Sequence, residues 1–146
     1  MMLFRKLRPD ARLPHRSHEN DTGADLYFCP EDGLPVTLAP GETRVLGTGL
    51  ELAFAPDHYD IQIRPRSGLA AKHGLTVLNT PGTVDPGYRG EIKVILSNFS
   101  NEPFTVEPGT RIAQLVVNFV YRPPFSFTEE ENETTRGEGG FGSTGL

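Results

Sequence analysis

Proline followed by glycine recurs along this chain, at Pro40-Gly41, Pro81-Gly82, Pro86-Gly87 and Pro108-Gly109, and each pair demands a turn. Glycine and proline together supply 29 of the 146 residues. Proline breaks helices by removing an N–H and clashing with the preceding turn, and glycine weakens them entropically. Long helices are therefore excluded, and short strands joined by turns remain. The length suits one domain with a modest core, and the 36% hydrophobic and 23% charged shares are those of a globular chain, not a disordered or fibrous one.

Period-two alternation is clearest at Tyr59-Asp60-Ile61-Gln62-Ile63-Arg64, which puts Tyr59, Ile61 and Ile63 on one face. Further strands are expected at Leu3–Leu7, Asp25–Phe28, Thr43–Phe54 with a break near Gly47-Thr48-Gly49, Glu91–Asn98 and Arg111–Tyr121. Only Ser67–His73 reads as helical. Such spacing predicts an all-β sandwich or barrel over residues 1–122. Residues 123–135, with Pro123-Pro124 and Glu129-Glu130-Glu131-Asn132-Glu133, read as an acidic linker. Residues 136–146 contain five glycines and are expected to order only on a ligand.

Charge and cysteine usage narrow the partners. Fourteen basic against 19 acidic residues give a net charge of −5, which argues against a nucleic-acid polymer. Cys29 is the single cysteine, so no internal disulfide or sulfur-rich metal site exists, and the cytoplasm is the expected location. No apolar stretch is long enough to span a membrane, and charge interrupts the N-terminus before a signal core forms.

Four segments carry candidate chemistry. Arg64-Pro65-Arg66-Ser67-Gly68-Leu69 brings two guanidiniums and a hydroxyl to a strand–helix junction, an anion site unless Ser67 merely caps the helix and the arginines pair with carboxylates. Asp25, in Gly23-Ala24-Asp25-Leu26, suits either a structural role or the orientation of metal-bound water. Thr83 to Glu91 reads as a hairpin turning at Pro86-Gly87, with Asp85 ending the incoming strand. That carboxylate either closes an Asx turn or activates water. The tail imitates G-x-G-x-x-G and P-loop patterns, but it has no P-loop lysine, and no helix follows in the four residues after Gly142. What remains is a disordered terminus or a flexible clamp, in which Arg136, Ser143, Thr144 and backbone N–H groups wrap a phosphate while Phe141 stacks on a base. His15, His18, His58 and His73 are scattered and lack metal-ligand spacing.

Taken in order, five segments resemble the trimeric dUTPase family: Gly23–Leu26, Pro65–Ala70, Asn79–Gly90, Gly109–Leu115 and Arg136–Gly145. The resemblance implies a jelly-roll-like distorted β-barrel, assembled as a threefold homotrimer whose three sites each draw on all chains. It implies Mg²⁺-dependent hydrolysis of dUTP to dUMP and pyrophosphate, with Asp85 as the base for the attacking water. Arg66, Ser67, Gly68, Gln114, Arg136, Ser143 and Thr144 would hold phosphates. Asn79, Val84, Tyr88, Phe141 and Gly142 would contact uracil or deoxyribose. The metal would be carried mainly by phosphates and water, supported from behind by Asp25 and Gln114, and Arg111 would support the site without reacting.

One departure stands out. Family members often carry a second acidic residue two places after the base, where this chain has Gly87. The Pro86-Gly87 turn is shared with the related dCTP deaminases, which need an acid–base glutamate at the position that Ile95 holds here. Hydrocarbon transfers no proton. A non-catalytic nucleotide-binding trimer is the other alternative, and it would need neither Asp85 nor the full tail.

Overall fold

A computed structural model describes residues 1–130 and 133–141 of the chain. Among these residues, ten strands and one short helix follow in the order β1 (Leu3–Lys6), β2 (Gly23–Tyr27), β3 (Val36–Leu38), β4 (Thr43–Phe54), β5 (Tyr59–Arg64), α1 (Ser67–His73), β6 (Leu75–Val77), β7 (Gly82–Val84), β8 (Glu91–Asn98), β9 (Phe104–Val106) and β10 (Arg111–Phe119). The expected alternation is realised in β5, where Ile61 and Ile63 are buried. On the opposite face Gln62 Nε2 donates to Asp60 (2.6 Å), and Arg64 donates twice to Gln62 Oε1 (2.9 and 2.7 Å).

The all-β fold consists of two four-stranded sheets, ordered β1-β4-β8-β6 and β2-β10-β5-β7, with a small β3-β9 pair. Every pairing is antiparallel. Leu46, Leu52, Ile92, Val94 and Leu96 of the first sheet share one core with Leu26, Ile61, Ile63, Ile112 and Leu115 of the second. Leu38 and Val106 from the small pair join it. Burying each such aliphatic side chain is worth about 1.5–3 kcal/mol, and this sandwich core orders the two sheets.

The break expected near Gly47-Thr48-Gly49 is a bulge within a continuous strand: the register between β4 and β8 shifts between Gly47 and Glu51. Gly49 has φ +68°, and a Cβ there would lie 2.8 Å from the Ala11 methyl. Helix α1 starts after Arg66, which sits in extended backbone at the N-cap without a side-chain cap, so Ser67 does not cap the helix. It stops at Gly74, left-handed at φ 63°, whose N–H reaches back to the Ala70 carbonyl (3.1 Å).

One expectation is corrected. Thr83 to Glu91 is no hairpin, because β7 pairs with β5 in one sheet while β8 pairs with β4 and β6 in the other. The hairpin partners are β6 and β8, and residues 78–90 form an excursion between them that visits the opposite sheet. β3, β6 and β9 were also not anticipated, since three residues cannot display a period. β10 ends at Phe119, two residues early, and residues 120–130 form neither helix nor strand.

Leu26 is fully buried on β2, back to back with the Asp25 position. Leu26→Ala is expected to lower unfolding stability by about 2–5 kcal/mol, read from the denaturant midpoint at unchanged m-value.

Candidate active site

Three adjacent strands bring separate parts of the chain to one place. Across the sheet, Asp25 of β2 lies opposite Gln114 of β10, and Gln114 lies opposite Arg64 of β5. Beyond Arg64 the chain passes through Pro65 and Arg66 into α1, which sets Ser67 and Gly68 at the same end of the sheet. Asp25, Arg66, Ser67, Gly68 and Gln114 line an open polar cleft of about 370 Å³.

The cleft is held by paired charge. Arg66 Nε donates to Asp25 Oδ1 at 2.7 Å, and Arg111 Nη1 donates to Asp25 Oδ2 at 3.2 Å. The Asp25 side chain is 14% exposed, so its bond to Arg66 is a partly desolvated, charge-assisted one, whereas Arg111, 48% exposed, pairs with it from the solvent side. Asp25 thereby orients two guanidiniums whose remaining donors are available to an anion. Gln114 Nε2 donates to the Pro65 carbonyl at 2.8 Å, tying β10 to the strand–helix junction. Gly23 explains the small residue that opens its motif: a Cβ there would collide with the Gln114 amide oxygen and lie 2.9 Å from Cδ.

Sequence reasoning expected Asp25, Arg66, Ser67, Gly68 and Gln114 to act together, and they converge. His15, set aside in the sequence for want of metal-ligand spacing, lines the same cleft, as do Ser17, Asp21 and Thr22, which no motif singles out. His15 exchanges two backbone hydrogen bonds with Asp25 (2.8 and 3.2 Å), and the only signal for it was its nearness in the chain to Gly23–Leu26.

A second group lies elsewhere. Val84 pairs with Ile61, so Asp85 leaves β7 at the level of Asp60, four residues or about 13 Å along β5 from Arg64 and three strand spacings, about 14 Å, across the sheet from β2, which puts it roughly 20 Å from Asp25. Asp85 is exposed, and its turn is closed by its carbonyl, which accepts the Tyr88 N–H at 2.9 Å. Its carboxylate takes no donor among the described residues, so the Asx-turn alternative is not adopted. Tyr88 is about half exposed and its hydroxyl donates to the Glu91 carbonyl at 3.2 Å. Asn79 folds back over Gly82, where a Cβ would lie 3.1 Å from its Nδ2. Val84 points into the core and offers only its main chain.

A third group sits in the tail. Arg136 Nε donates to the Gly139 carbonyl at 3.0 Å, and Gly137 N–H to the Thr134 carbonyl at 3.1 Å, forming consecutive local turns. Phe141 is fully exposed, with φ 50°. Gly142, Ser143 and Thr144 lie outside the described residues. Thus one chain assembles the cleft but brings neither Asp85 nor Arg136 to it.

Comparison with known proteins identifies the relatives of this arrangement. The dUTPase family model matches residues 9–145. The chain is 48% identical over 149 residues to the deoxyuridine 5′-triphosphate nucleotidohydrolase of Clostridium novyi (strain NT), covering 99% of each. It is 52% identical over 143 residues to that of Thermobifida fusca (strain YX), covering 97% of this chain and 77% of the relative. Among solved structures, the Staphylococcus bacteriophage 80alpha dUTPase with dUpNHpp superposes with a TM-score of 0.87 at 28% identity, covering 100% of this chain and 99% of the other.

Gly23→Ala is expected to push Gln114 off the Pro65 carbonyl while leaving the core intact. Calorimetry with inorganic tripolyphosphate checks this, the expected result being affinity weakened by about fivefold or more for the loss of a positioned hydrogen bond, with a near-native melting profile.

Proposed function

The chain belongs to the dUTPase family and is a dUTP diphosphatase, and from that premise we propose how its own residues divide the work. The reading is a general-base attack of water on the α-phosphorus of dUTP, releasing dUMP and pyrophosphate. Asp85 takes the proton from the water. Arg66, Ser67 and Gly68 bind the phosphate chain with Gln114, and the Asp25 grip on Arg66 presets that guanidinium before substrate arrives. Phosphoryl transfer depends mainly on such positioning and charge stabilisation. The observation that carries the reading is this preorganised arginine–carboxylate cleft, built by the family's motifs around Gln114.

Mg²⁺ belongs to this reading. No cluster of three His, Cys, Asp or Glu that could hold a metal occurs among the described residues, and both Asp25 carboxylate oxygens already face guanidiniums. This donor set fits an ion carried by phosphate oxygens and water, with Asp25 and Gln114 behind that shell. When bound, the ion supplies neutralising charge on the triphosphate.

A homotrimer completes the site. The roughly 20 Å between Asp85 and Asp25 is too far for a base to reach the α-phosphorus within one chain, which supports a site whose Asp85 loop comes from a neighbour, with the tail supplied by the third subunit. Two features support assembly. An apolar groove of about 470 Å³ runs beside Met2, Phe4, Leu13, Leu115 and Phe119, and Tyr121, Phe125 and Phe127 expose their rings beyond β10. In the assembled site Arg136, Ser143 and Thr144 hold the terminal phosphate, while Phe141 and Gly142 cover the uracil and exclude water.

Selectivity follows from the Asp85 segment. Asn79 and the main chain at Val84 read the uracil edge, and Tyr88 packs on deoxyribose where a 2′-hydroxyl would collide. The deaminase alternative gains no support from Ile95, a half-buried hydrocarbon on β8. The reaction keeps uracil out of DNA and supplies dUMP for dTMP synthesis. A cytoplasmic setting suits the buried free thiol of Cys29, and no helix among the described residues is long and apolar enough to cross a membrane.

Product analysis with Mg²⁺ and, separately, dUTP, dCTP, UTP and dTTP tests the whole reading. The expected result is dUMP and pyrophosphate from dUTP alone, while dUTP formed from dCTP would reopen deamination. Asp85→Asn is expected to abolish turnover yet retain nucleotide binding, and near-normal hydrolysis would remove Asp85 as the base. Deleting residues 136–146 is expected to reduce kcat by about a hundredfold while light scattering still reports a trimer; an unchanged rate would refute the clamp.

A further inference from the structure

The loop that carries Asp85 is tied to the body of the protein at only two places among the described residues. At one end β7 pairs with β5. Within Asp85–Gly90 the remaining bonds are internal, from Tyr88 N–H to the Asp85 carbonyl and from Arg89 Nη1 to the Pro86 and Tyr88 carbonyls (2.8 and 2.9 Å). At the other end the chain enters β8 at Glu91, and there an unusual polar cluster is built.

The Glu91 side chain is only 10% exposed, and its Oε1 accepts both Arg8 Nη2 and the Gly49 N–H (2.9 Å). Arg8, 16% exposed, also donates Nε to the Cys29 carbonyl at 2.9 Å. Lys93 and Glu31 approach at 3.8 Å from the two sides. Burial works against the Arg8 charge, but its bonds to Glu91 and Cys29 outweigh it and hold the guanidinium above the ordinary arginine range. The β4 bulge is shaped around the pair, since a Cβ at Gly47 would lie 2.8 Å from Arg8 Nη2. From Glu91 the contacts continue into the loop: its carbonyl receives the Tyr88 hydroxyl (3.2 Å), and a Cβ on Gly90 would sit 2.5 Å from Tyr88 Cζ.

We propose that Arg8 and Glu91 are positioning residues for dUTP hydrolysis, fixing the loop so that Tyr88 and Asp85 meet the nucleotide in a set geometry. The inference rests on the reading of Asp85 as base. Neither side chain touches substrate. Both act through the Glu91 main chain and the Gly90–Tyr88 seat, which couples them to the base and to the sugar contact together. A pair that served only stability would alter melting and leave these two properties alone.

The test uses the full chain with Mg²⁺, comparing wild type with Arg8→Met, Arg8→Lys, Glu91→Gln and the Arg8→Met/Glu91→Gln double variant on dUTP and UTP. Arg8→Met and Glu91→Gln are expected to lower kcat on dUTP by about tenfold or more, the scale of a small misplacement of reacting groups, and to narrow the kcat/KM preference for dUTP over UTP. Arg8→Lys is expected to restore part of both, and the double variant to lose no more than the worse single one, as for residues acting as a unit. Folded variants with kcat and preference within about twofold of wild type, changed only in melting temperature, would overturn the proposal. Should Arg8→Met fail to fold, Arg8→Lys and Glu91→Gln decide by the same two ratios. A wild-type protein inert toward dUTP would instead defeat the functional reading, whereas an active wild type beside unaltered variants defeats this inference alone.

Discussion

Strand β10 pairs on one side with β2 and on the other with β5, and the cleft exists only because both registers hold at once. Gln114 is opposite Asp25 in one pairing and opposite Arg64 in the other, which delivers the next residues, Pro65 and Arg66, to Asp25. A slip of one residue on either side would turn Asp25 or Gln114 to the opposite face of the sheet. The registers are secured by the core beneath, where Leu26, Ile112, Leu115 and Ile63 are all buried. Hydrophobic packing on one face therefore sets the geometry of charge on the other.

That geometry resolves an apparent conflict between charge and substrate. A chain of net charge −5 does not attract a polyanion as a whole, yet Asp25 at the cleft gathers the Arg66 and Arg111 guanidiniums around a single carboxylate. Asp25 removes part of their charge but fixes their direction. For a reaction in which positioned donors matter more than bulk potential, fixed direction is the more useful property. The Asp85 loop follows the opposite plan: an exposed carboxylate on a segment secured at its ends. The separation of the two groups within one chain makes assembly part of the proposed chemistry and not an addition to it.

The parts of this arrangement legible in the sequence are those with a local physical signature. Tyr59–Arg64 announces its strand by alternation, and the helix read at Ser67–His73 is found there. Glu91–Asn98 is also found where expected. Gly47-Thr48-Gly49 signals an irregularity, and it is a bulge. The Thr83–Glu91 segment misled because a Pro-Gly turn looks the same whether its flanking strands pair with each other or diverge into two sheets. The cleft residues Asp25, Arg66, Ser67, Gly68 and Gln114 were recognisable as motifs, whereas His15 and Asp21 carry no local pattern and join the cleft only through the path of the chain.

By itself the sequence determined the fold class, the helix at Ser67–His73 and the motifs from which the site residues are proposed, because turn propensity, period and motif composition are local properties of the chain. Tertiary structure decided which strands are neighbours, that Asp25 holds Arg66 and Arg111 at once, that Arg8 meets Glu91 beneath the Asp85 loop, and that Asp85 stands far from its own cleft. Those are distances between residues many positions apart, and only the packing of one buried core against two registered sheets can set them.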